Sequence, residues 1–160
     1  MALLQRRFLL RAFSASALLP LAARAHHGWS GFDQDRPLYL EGRAAKVRWA
    51  NPHAEIDLEL PAEPRLPPDL KQRALPAQTA PVDGPALLAK AQLPTRRDRL
   101  WTIELAPLTR LGAWRLEEIA PGTALSVIGY AASGERGDAV LRAEYLFVGG
   151  KAYGLRSSPA

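Results

Sequence analysis

The residues with the most chemistry to offer are the chain's three histidines, His26, His27 and His53. His26 and His27 follow Ala23-Arg24-Ala25, whose small residues at two-residue spacing match the pattern read by a signal peptidase. Cleavage there would make His26 the first residue of the processed chain. Its free α-amine and its ring could then grip one metal ion together, as neutral imidazole is the commonest metal ligand among side chains. The ring of His53 would stand opposite, with His27, Glu55 or Asp33 completing the coordination. An amine and two imidazoles suit tetragonal Cu(II). The soft donors that favour Cu(I) are absent, because there is no cysteine and the only methionine is Met1. Zinc is the second candidate metal.

The first 25 residues carry Arg6, Arg7, Arg11 and Arg24 and no acid. Between them the apolar run from Ala12 to Ala23 is shorter than the roughly 20 residues a membrane span requires. Gln5-Arg6-Arg7-Phe8-Leu9-Leu10-Arg11 resembles a twin-arginine export signal, with Gln5 and Leu9 departing from the commonest residues. An ordinary secretory signal is the other reading, and both put the processed protein in a bacterial periplasm. Without this leader, seventeen bases face sixteen acids, so the net charge of +5 belongs mainly to the leader. That excludes the basic stripe expected of a nucleic-acid binder. Residues 26–160 suffice for one packed domain and contain no further apolar run long enough to span a membrane.

Strands are predicted from alternation. The first runs from Leu38 to Ala50, its apolar set changing phase across Gly42 to Ala45, Val47 and Trp49, the mark of a bulge or bend. After the Asn51-Pro52 break, Ala54, Ile56, Leu58 and Leu60 alternate with His53, Glu55, Asp57 and Glu59, so that one face is acidic. Residues 61–98 hold eight prolines, which exclude central strands and long helices. They read as an extended, partly disordered surface insertion with one helix-like piece, Ala86 to Leu93. A third strand starts at Leu100 and a short helix occupies Pro107 to Ala113. A fourth strand runs from Thr123 to Ala131. The fifth, Ala139 to Val148, sets Leu141, Ala143, Tyr145 and Phe147 against Arg142 and Glu144. Lys151 to Leu155 could add an edge strand.

Three strands, a short helix and two strands match a mainly-β, five-stranded Greek-key barrel of the OB type, with its helix between strands three and four. A β-sandwich is the alternative. Trp29, Trp49, Trp101 and Trp114 read as core or cavity lining, and Ser133-Gly134-Glu135-Arg136-Gly137 as a hairpin loop rather than a phosphate cradle.

The processed start His26-His27-Gly28-Trp29-Ser30-Gly31-Phe32-Asp33 is similar to that of a family of uncharacterised exported bacterial proteins known only as a domain of unknown function. So are Leu40-Glu41-Gly42, Trp49-Ala50-Asn51-Pro52-His53 and Pro121-Gly122-Thr123. The resemblance implies a paired histidine after the leader and a Trp-x-Asn-Pro-His motif. It covers the processed chain outside residues 61–98 and brings no activity with it.

Three functions follow as expectations. The first is a periplasmic metal carrier or buffer using His26, His27, His53 and Glu55. The second is a non-catalytic OB-like adaptor for a protein or small ligand, with the histidines incidental and the N-terminal pair a solvated tail. The third is an oxidative copper enzyme, for which no polysaccharide-binding surface can be identified.

Overall fold

The computed structural model describes residues 28–160. Six strands form one sheet: β1 (Leu38–Arg48), β2 (Glu55–Glu59), β3 (Leu100–Glu104), β4 (Ala124–Tyr130), β5 (Val140–Val148) and β6 (Lys151–Gly154). Their order is β3-β2-β1-β4-β5-β6, and a parallel pairing of β3 with β5 closes the first five into a barrel. The OB-like barrel is therefore the architecture, and closure removes the sandwich alternative. The helix α2 (Leu108–Ala113) lies between β3 and β4 as expected, while α1 (Gly84–Lys90) lies in the proline-rich segment. No helix among the described residues is long and apolar enough to cross a membrane.

Alternation explains the barrel interior. Ala54, Ile56, Leu58 and Leu60 are buried with Trp101, Ile103 and Leu105, and Leu111 of α2 joins the same core. Two expected strand phases need correction. In β1 the buried alanine is Ala44, whereas Ala45 is exposed, because the register shift falls between Ala44 and Lys46 rather than at Gly42. Gly42 has a different role, since a Cβ there would run into the Glu59 carbonyl oxygen. In β5, Leu141 and Ala143 face the barrel interior, but Tyr145 and Phe147 do not. The β4–β5 register shifts between Ile128 and Gly129, which pair with Tyr145 and Ala143. The extra residue is Glu144, and Leu146 becomes the inward residue.

Residues 61–98 are not a loose excursion. Leu70, Leu87, Leu88 and Ala91 pack with Tyr39, Ile128, Tyr130 and Tyr145 into a second hydrophobic cluster on the outside of the barrel. Trp29 and Phe32 pack against it too. Asp83 caps α1 by accepting from the Ala86 amide at 2.9 Å, so the helix starts before the predicted Ala86. The prolines prevent regular structure without preventing burial of the leucines between them. Near the end of this segment, the Thr95 and Arg96 amides donate to the carboxylate of Glu135, at 2.9–3.0 Å. Arg36 also pairs with Glu135.

Candidate functional site

His53 sits at the entry to β2, in a turn pinned on both sides. The Asn51 side-chain oxygen accepts from the Leu108 amide at 3.2 Å, tying the turn to α2. The next residue, Ala54, exchanges backbone bonds with Ala106 and Leu105 at 3.1 and 2.9 Å. The ring is half-buried, and its Nε2 lies 3.2 Å from Nη2 of Arg142. A guanidinium can only donate, so in this contact Nε2 takes the accepting role.

Arg142 belongs to a charged row that the barrel topology assembles. Arg48 pairs with Glu55 across β1–β2, Glu55 with Glu104 across β2–β3, and Glu104 with Arg142 across β3–β5. The outer pairs are ion pairs, Arg48–Glu55 at 2.6 Å and Glu104–Arg142 at 3.5 Å. Arg142 is only 7% exposed, and its Nε has no hydrogen-bond partner among the described residues. Burial lowers its pKa; Glu104 opposes that shift, while the charges of Arg110 and Arg156 add to it.

The N-terminal part of the described chain converges on the same place. The Arg142 guanidinium lies over the Trp29 ring at 4.9 Å, and Arg156 lies over it at 3.9 Å. Tyr130 meets Trp29 edge-on at 6.2 Å. Arg156 is held in turn by the fully buried Glu144 at 2.6 Å, and it donates to Gln34 at 2.9 Å. Gln34 donates back to the Trp29 carbonyl at 3.3 Å. A tail beginning at Trp29 is thereby fixed beside the Arg142–His53 pair.

His26 and His27 lie outside the described residues. Glu55 is engaged by Arg48, and the rest of its strand face is similarly matched: Asp57 accepts from Thr102 at 3.2 Å and Glu59 pairs with Arg99 at 3.5 Å. The expected acidic ridge is thus largely neutralised by its neighbours. Asp33 turns its carboxylate to the Asp35 amide at 3.3 Å, closing its own turn. Among the described residues no three His, Cys, Asp or Glu side chains cluster as a metal-holding group.

Sequence reasoning missed Glu104, Arg142, Glu144 and Arg156. The polar half of β5 was visible as Arg142 and Glu144, but its burial depends on the cover supplied by residues 28–34 and the proline-rich segment. The parallel β3–β5 pairing that sets Glu104 against Arg142 leaves no local signature.

The fold thus defines the chain as a closed OB-like barrel carrying a histidine–arginine pair at the mouth of one strand. A family model described as "Family of unknown function (DUF6152)" matches residues 15–65, which include β1, the His53 turn and β2. No curated protein and no solved structure matches the chain.

Proposed function

We propose that the chain is exported, loses residues 1–25, and holds Cu(II) through the amine and ring of His26 together with the ring of His53, as a periplasmic carrier or buffer. The supporting observation is the Trp29 anchor. Trp29 contacts Arg142 at 4.9 Å, and Arg142 contacts His53 at 3.2 Å. His26 is three residues before Trp29, and three extended residues span about 10 Å, a distance of the same size as those two contacts in series.

The donor set suits the metal. A ligating imidazole must be neutral, and nitrogen donors favour copper among the divalent first-row ions. Zinc is the alternative occupant, and His27 is the nearest further donor in the sequence. Glu55 would have to leave Arg48 to contribute. The Nε2 lone pair is engaged by Arg142, so a metal taking that nitrogen displaces the guanidinium, which limits affinity. Bound copper would supply a tetragonal Cu(II) centre open to exchange with a recipient.

Titration of Cu(II) into the processed protein, and into a form with one extra residue before His26, tests the proposal. One-to-one binding that the extension weakens sharply supports it. Equal binding by both forms removes the amine from the site, and no binding removes the metal.

A further inference from the structure

The guanidinium of Arg142 has one edge that its surroundings leave half used. Nε and Nη2 share an edge of the planar group, a fork whose parallel N–H bonds fit two oxygens of one carboxylate-type anion. Nη2 lies 3.2 Å from Nε2 of His53. Nε, on the same edge, is buried and has no hydrogen-bond partner among the described residues. Nη1, on the other side of the group, meets Glu104 at 3.5 Å, a loose contact. A buried donor without an acceptor is costly, and more so on a charged group, so this edge calls for an acceptor that the described residues do not supply.

Charge points the same way. The charges of Arg110 and Arg156 both reach Arg142. Arg156 is balanced by the buried Glu144 at 2.6 Å, and Glu104 is the acid paired with Arg142. Arg110 donates to the Leu155 carbonyl at 3.0 Å and has no acidic partner among the described residues. Arg142, Arg110 and Arg156 thus stand against Glu104 and Glu144 alone, which leaves positive charge in surplus around a residue that is nine-tenths buried.

A Cu(II) ion held by the ring of His53 and by the amine and ring of His26 has three nitrogens, and its tetragonal plane has room for one more donor. Taking Nε2 of His53 releases Nη2, so both N–H groups of the Arg142 edge then stand open beside the ion. Stacking on Trp29 at 4.9 Å and the Glu104 contact keep the guanidinium there. We propose that a small carboxylate-type oxyanion binds between the ion and this edge, its two oxygens accepting from Nε and Nη2 and one of them also bound to Cu(II). Dissolved bicarbonate and short organic carboxylates share this chemistry. The site rests on the proposed Cu(II) centre, so copper and anion should bind cooperatively.

Chelator competition at constant ionic strength in perchlorate, with and without bicarbonate or acetate, measures that coupling. The effective anion should raise the ratio of Cu(II) affinities, processed native protein over Arg142→Gln, about fivefold. Comparing the two proteins in one solution cancels copper's own complexation by the anion. Arg142→Lys keeps the charge without the fork and should respond as Arg142→Gln does. With the effective anion carrying a magnetic isotope at its carboxyl carbon, electron–nuclear double resonance should find that carbon coupled to Cu(II) in the native protein and in neither variant. An effect of bicarbonate alone identifies dissolved bicarbonate as the occupant, and an effect of acetate alone identifies an organic carboxylate. Equal responses from the native protein and both variants, or no carbon coupling, overturn the anion site while leaving copper bound. A native protein that binds no copper in any of these solutions overturns the metal centre and the anion site together.

Discussion

Nη2 of Arg142 lies 3.2 Å from Nε2 of His53, which places a buried cation directly on a histidine nitrogen. The guanidinium orients the imidazole, yet it lies on the nitrogen that a metal would use. Arg142 thus positions His53 and competes with the ion proposed to bind there.

Arg142→Gln removes a neighbouring positive charge and frees Nε2, while Arg156, 3.9 Å from the Trp29 ring, still holds the tail, so Cu(II) binding should tighten about tenfold, equivalent to about 1.4 kcal/mol. Competition against a chelator of known affinity measures it. Unchanged or weaker binding would mean that copper does not use His53 Nε2.

Trp29→Ala should weaken Cu(II) binding well beyond its effect on global stability, which should fall by about 2–3 kcal/mol through loss of two cation–π contacts, the Tyr130 contact and packing on the outer cluster. The loss of copper affinity arises because the tail is no longer held beside His53 and the effective concentration of its donors falls. Parallel copper and urea titrations separate the two effects.

Glu135→Gln should cost about 2 kcal/mol at neutral pH, since the carboxylate accepts from two amides and from Arg36 while its side chain is 2% exposed. Burial would raise the pKa of Glu135, but the Thr95 and Arg96 amides and the Arg36 side chain outweigh it and hold the group below its usual 4.5. A depressed folded-state pKa gives stability that is complete above the unfolded value. It is lost as pH falls through the folded value. The gap between native protein and variant should therefore narrow in acid, as denaturant midpoints across pH would show.

Leu88→Ala should destabilise the whole domain by about 2–4 kcal/mol, because Leu88 is 2% exposed within the outer cluster. A single cooperative transition that moves as a unit would show that the proline-rich segment is integral to the fold. A loose insertion would leave the midpoint unchanged.

What could be read in advance follows from the range of each interaction. Ile56 and Leu58 announce their strand because alternation is local, and the same holds for Trp101 and Ile103. Alternation puts Ala45 and Tyr145 on the wrong faces because each lies at or next to a bulge, where one extra residue reverses the side chains beyond it. The proline-rich segment hid its core: Leu70, Leu87 and Leu88 have no common period, and only the outer face of β1, β4 and β5 brings them together. His53 stood out by rarity, whereas Arg142 and Glu104 are 38 residues apart and meet only through a parallel strand pairing. Glu135 lay in a glycine-flanked loop that reads as exposed, and its burial comes from Arg36, Thr95 and Arg96.

The proposed function turns on one ion joining the processed N-terminus to His53. Electron paramagnetic resonance of the Cu(II) form, comparing the processed native protein with His53→Ala, tests it most directly. Loss of one nitrogen coupling in the variant, with weaker binding, is the predicted result. Identical spectra and affinities would contradict the claim and leave any bound copper on the N-terminal tail alone.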